Sequence, residues 1–134
     1  MVVDGAQARL GRQASGGLAP AILAIVERGM LLRPDLAKDL ECEVELVMDD
    51  YPPVRIAFDR TDVLVEDGPA RSPDLRLHGS LADLTSLLVA PLVAGIPNPV
   101  NRRGRAALGM VALGRVRFEG RMGLLRRFLS AIRI

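Results

Sequence analysis

The stretch Glu41-Cys42-Glu43-Val44-Glu45-Leu46-Val47-Met48 alternates side-chain character with a period of two. Cys42, Val44, Leu46 and Met48 face one way, while Glu41, Glu43 and Glu45 face the other. This is the pattern of a half-buried strand with an acidic outer face. Asp49 to Pro53 reads as a turn, and Val54, Ile56 and Phe58 then alternate with Arg55, Ala57 and Asp59 in a second strand. Arg55 is placed to answer the glutamates of the first strand across the ladder.

The same period continues outward from this pair. Asp59 to Asp62 turns the chain into a third strand, Val63 to Glu66, which ends at Asp67-Gly68-Pro69. Leu75 and Leu77 alternate with Arg76 and His78 in a fourth. Ser80 and Asp83 then have the Ser-x-x-acid spacing of a capping box ahead of Leu81, Leu84, Leu87 and Leu88. Pro91 ends or kinks that helix, and Gly95 to Asn101 reads as a loop. Residues 103 to 112 fit a short helix or an extended approach to a strand equally well. A fifth strand, Arg115 to Glu119, is bounded by Gly114 and Gly120, and a last helix sets Leu125, Phe128, Leu129 and Ile132 on one stripe.

Upstream, Leu18, Ile22, Ile25, Val26 and Met30 have helical spacing, with Pro20 tolerable in the first turn. Pro34 can start a short second helix carrying Leu36 and Leu40. Residues 1 to 17, polar and Gly-rich, read as a flexible N-terminal arm, and 18 to 134 as one domain. Strands joined by short turns imply an antiparallel meander. With helices grouped to one side, the expected class is α+β, a five-stranded, largely antiparallel sheet covered by helices.

The 134 residues suit a single core without staples, and the lone Cys42 has no intramolecular disulfide partner, which fits a reducing compartment. The longest uninterrupted apolar run, Leu18 to Val26, is too short to cross a bilayer. Arg9 and Arg12 imitate the basic end of a signal peptide, but no small-x-small cleavage site follows, so a core helix in a cytoplasmic protein is expected.

Charge is unevenly spread. Residues 1 to 100 carry nine basic and fifteen acidic side chains, while residues 101 to 134 carry nine arginines and only Glu119 as an acid. A cationic end steers anionic partners or pairs with the acidic body.

The sequence offers little for chemistry. His78 with Ser80 lacks the glycine-flanked serine of a nucleophile elbow, and Ser80 is already assigned as a helix cap. One histidine and one cysteine do not make a zinc site, and the aspartates lack calcium-loop spacing. Gly109, Gly114 and Arg115 miss the Lys-Ser/Thr of a phosphate loop. Arg102, Arg103, Arg105, Arg115 and Arg117 lack the aromatic interleaving of RNA-binding domains, and no helix-turn-helix is signalled, so specific nucleic-acid binding is not expected. No enzyme activity, cofactor or metal is expected. With three Phe, one Tyr and no Trp, the interior is aliphatic. It can be solid, or it can hold a hydrophobic ligand.

Three segments resemble a known family. Gly114 to Leu129, GRVRFEGRMGLLRRFL, resembles the terminal strand, glycine and helix of the sterol carrier protein type of lipid-transfer domain. Pro73 to Leu84, PDLRLHGSLADL, is similar to its strand-to-helix junction, and Val54 to Glu66 to its paired strands. The likeness spans roughly residues 20 to 134. It implies a five-stranded sheet with helices enclosing an apolar tunnel for sterols, fatty acyl chains, phospholipids or isoprenoids, with no chemical step. The Pro91 to Asn101 loop and Arg102 to Arg105 stand where the family usually has a Gly-Lys segment leading to its last strand.

With that frame, periodicity nominates a lining of Ile56, Phe58, Val65, Leu77 and Phe118 from the sheet and Leu84, Leu88, Leu125, Phe128 and Leu129 from the helices. Arg121, Arg126, Arg127 and Arg133, on or beside the last helix, are candidates for contact with an anionic membrane or partner. The expected function is binding, transfer or presentation of a hydrophobic lipid. The alternatives are an accessory role in a membrane-associated pathway such as isoprenoid quinone synthesis, or a pocketless interaction domain using the Arg-rich end.

Overall fold

The computed structural model describes residues 7–32, 40–49, 51–60, 62–89, 92–93, 96–97, 100, 102, 105, 109, 114 and 116–132. Side chains are described for these residues except 7, 86–89, 92–93, 96–97 and 132. The elements run β1 (Gln7–Leu10), α1 (Ala19–Leu32), β2 (Glu41–Met48), β3 (Val54–Asp59), β4 (Asp62–Asp67), β5 (Leu75–Gly79), α2 (Leu81–Val89), β6 (Leu92–Val93), β7 (Ile96–Pro97), β8 (Arg117–Gly120) and α3 (Met122–Ile132). The short helix expected after Pro34 and most of 103–112 lie outside the described residues.

The class is α+β as expected, but the sheet differs from the expectation in strand number and direction. Among the described residues it has six strands in the order β1-β4-β3-β2-β5-β8, and a separate β6-β7 hairpin falls where the sequence predicts a loop. β2, β3 and β4 form the expected antiparallel meander. β5 does not continue it: it crosses over to pair parallel with β2. That leaves the outer edge of β4 to β1, also in parallel. Gln7 to Leu10, which sequence assigns to a flexible arm, is therefore an edge strand. Ala8 and Leu10 lie beside Val63 and Val65 in its register, so the segment extends an apolar row.

The outer face of the sheet explains the crossover. Register aligns Glu66, Arg55, Glu45, Arg76 and Glu119 in one row across five strands, with alternating charge. Arg55 Nη2 donates to Glu43 Oε2 at 2.8 Å and Arg76 Nε to Glu45 Oε1 at 2.6 Å. The connection 68–74 must pass β3 and β2, about 14 Å at the usual strand spacing. Glu45 Oε2 accepts the Ala70 N–H at 3.1 Å and Glu43 Oε1 the Ser72 N–H at 3.2 Å, so two glutamates of β2 hold this connection. The Glu43 N–H also donates to Asp74 Oδ2 at 2.9 Å. Burial pushes the Glu43 carboxyl up, but the Arg55 hydrogen bond, the Ser72 and Arg71 N–H groups and the Arg55 charge outweigh it and hold it below its ordinary value.

The inner face carries the core. Val65, Ile56, Val44 and Leu75 form one fully buried row, and Phe58 meets Phe128 of α3 edge to face with ring centroids 6.0 Å apart. Gly120 ends β8 at φ 136°, and a Cβ there would meet the Asp74 carbonyl oxygen at 2.6 Å, so only glycine lets the chain turn from β8 into α3 so close to β5.

One acid points inward. Asp67, 2% exposed, shares its row with Val54, Leu46 and Leu77. Its Oδ1 accepts the Ala19 N–H at 3.1 Å and its Oδ2 the Ala14 N–H at 2.9 Å. α1 has no acid in its first turn, and Leu18, whose carbonyl accepts the Ile22 N–H, cannot cap with its side chain. Asp67 supplies that cap from the sheet. Gly17 packs against the same carboxylate, which a Cβ would overlap.

Asp67→Ala strands two N–H groups, and is expected to lower stability by about 2 to 4 kcal/mol, read as a lower urea midpoint. Glu43, whose pKa is lowered by folding, gives stability that is present above its unfolded pKa and is lost as pH falls. Arg55→Met is expected to weaken this acid dependence in urea titrations run across that range.

Candidate functional site

The inner face is not filled everywhere. A cavity of about 200 Å³ lies where α1 and α2 meet β2 and β5. Leu18, Ala21, Ile22 and Ile25 come from α1 and the residue before it, Leu46 and Met48 from β2, Leu77 from β5, and Leu81, Leu84 and Thr85 from α2. Leu46, Met48 and Leu77 point inward by the period of two, and the helical spacing of Leu18, Ile22 and Ile25 turns them to the same space. Ala21 and Thr85 are exposed, so the cavity opens to the surface between α1 and α2. Among the described lining residues, Thr85 is the one with a polar side chain.

α2 is set by its start. Ser80 Oγ accepts the Asp83 N–H at 3.1 Å, as the spacing predicts, and the Ser80 carbonyl accepts the Leu84 N–H. The cap fixes the turn that brings Leu81, Leu84 and Thr85 over Leu77.

Of the residues that sequence nominates, Leu77 and Leu84 line this cavity. Ile56, Phe58, Val65, Leu125, Phe128 and Leu129 are buried in the core outside its lining, and Phe118 is half-buried against that core. The side chain of Leu88 lies outside the described residues. Arg121, Arg126 and Arg127 are exposed on or just before α3, and Arg133 lies outside the described residues. The lining from α1 is absent from the sequence nomination. Its signal is present in the spacing of Leu18, Ile22 and Ile25, but spacing does not say which part of a helix covers a gap and which part covers packed core.

The groups with chemical potential are scattered. His78 is on the outer face of β5 with Nε2 3.6 Å from Glu119 Oε1, and Ser80 is the α2 cap. Cys42 faces inward at the other end of β2, five positions from the Val47 that pairs with His78, roughly 16 Å along the strand. Among the described residues no group of three His, Cys, Asp or Glu side chains could hold a metal ion. No helix among them is long and apolar enough to cross a membrane.

The fold is that of the sterol carrier protein type. The solved structure of UbiJ-SCP2, a ubiquinone synthesis protein, superposes with a TM-score of 0.58 at 13% identity, over 86% of this chain and 84% of that one. The sterol carrier protein domain 2 of Helicoverpa armigera gives 0.57 at 15%, over 84% and 87%. Sterol carrier protein 2 like 2 of Aedes aegypti gives 0.50 at 14%, over 87% and 100%. No protein-family model matches the sequence, and no curated protein matches it.

Burial, then the Asp74 charge, push the Cys42 thiol from 9.0 up to about 11, against a smaller opposing effect of Arg127. Cys42 is expected to react slowly with an aromatic disulfide reagent at pH 8 and at least about tenfold faster in urea. Because folding raises this pKa, its contribution to stability is full below about 9 and is lost as pH rises towards about 11, which urea midpoints across that range would register.

Proposed function

We propose that the chain binds a hydrophobic lipid in the cavity between α1, α2 and the sheet, and carries or presents it without a chemical step. The observation behind this reading is the cavity itself. A cavity open to the surface leaves its apolar wall uncovered, a hydrophobic cost that burial of a ligand removes. An aliphatic ligand gains roughly 0.8 kcal/mol per methylene buried there. The likeness to sterol carrier protein structures supports the same use. A cavity of about 150 Å³ holds benzene, and pockets for drug-sized ligands start near about 300 Å³. The present opening of about 200 Å³ suits part of a flexible chain. A rigid fused-ring lipid would need α1 to move outward.

A second reading, an accessory role in isoprenoid quinone synthesis, is favoured by the likeness to the UbiJ-SCP2 ubiquinone synthesis protein. It uses the same cavity to present a prenylated intermediate. In either case Arg121, Arg126 and Arg127, exposed near the exposed Met122, would contact an anionic bilayer.

Titration with a fluorescent lipid probe is expected to saturate, and native mass spectrometry to retain one lipid per chain. Ligand at a hundred times its Kd should add about 2.7 kcal/mol of stability. Ala21→Trp, at the exposed rim, is expected to weaken probe binding at least about tenfold, about 1.4 kcal/mol, with the unfolding midpoint little changed. Absence of saturable binding in the parent chain would remove the proposal.

A further inference from the structure

The cavity has an electrostatic bias as well as an apolar wall. Of its ten described lining residues nine are apolar, the tenth is Thr85, and none is Lys, Arg or His. Two helix N-termini abut it, and such N–H groups are the usual resting place of a carboxylate or phosphate. Both are already engaged, the first by an acid of the protein and the second by a serine hydroxyl. Asp67 accepts the Ala19 N–H at 3.1 Å, next to the lining residue Leu18. At the start of α2, Ser80 Oγ already accepts the Asp83 N–H at 3.1 Å. Asp67 is 2% exposed, so water screens it poorly.

Resting on the lipid-binding reading, we infer that the cavity selects an uncharged lipid chain and disfavours one ending in a carboxylate or phosphate. An anionic end group entering here loses its hydration, finds no cation among the described lining residues, and meets Asp67 where the dipole of α1 would otherwise attract it. An alcohol or carbonyl oxygen has no such penalty, and the Thr85 hydroxyl at the rim can donate to it or accept from it.

Displacement of the neutral fluorophore N-phenylnaphthylamine by dodecanol and by dodecanoate at neutral pH tests this. Dodecanol is expected to compete at least about tenfold better, and Thr85→Lys, at an exposed rim position, to shift the ratio of the two about tenfold towards dodecanoate. Equal competition by the two in the parent chain, or an unchanged ratio in Thr85→Lys, overturns the charge selection while the lipid-binding reading stands. If the fluorophore binds saturably and neither compound displaces it, or if it does not bind, both fall.

Discussion

Glu43 and Glu45 hold the connection that crosses the outer face of the sheet, and the architecture follows from that contact. Each carboxylate accepts a backbone N–H of the 68–74 segment and pairs with an arginine of a neighbouring strand. Glu45 is only 5% exposed, a placement that a carboxylate tolerates when donors surround it. The crossing segment brings β5 to the side of β2 and leaves β4 open to β1. With the outer face closed by charge and backbone, the helices have one apolar face to cover.

That inner face is covered unevenly. α3 packs Phe128 onto Phe58 and fills the region around it, whereas α1 and α2 meet over Leu46, Met48 and Leu77 and leave the cavity. Asp67 fixes the N-terminal end of α1 at the side of that gap. A carboxylate on the inner face is costly unless its oxygens are satisfied, and here two N–H groups satisfy them. The same residue that caps the helix therefore sets the position of the cavity wall.

Local pattern makes most elements legible. The period of two locates β2, β3, β4 and β5, and Ser80 with Asp83 locates the start of α2, because alternation and capping depend on neighbouring residues alone. β1 escapes this reading, since four residues, Gln7 to Leu10, are too few to show a period among polar and glycine residues. The site is legible in part. Leu77 and Leu84 lie along the cavity, whereas Ile56, Phe58 and Val65, with the same inward periodicity, pack into core. An inward-facing residue has the same sequence signature whether it meets another side chain or a void.

The order of apolar and charged residues along short windows is enough to dictate the strand faces, the helix stripes, the aliphatic interior and the acidic body with its cationic end. Packing in three dimensions is what lays β5 parallel beside β2, brings Asp67 to cap α1 from a distance of 48 residues, and places the cavity. Those outcomes depend on contacts between segments far apart in the chain, whose partners no local period encodes.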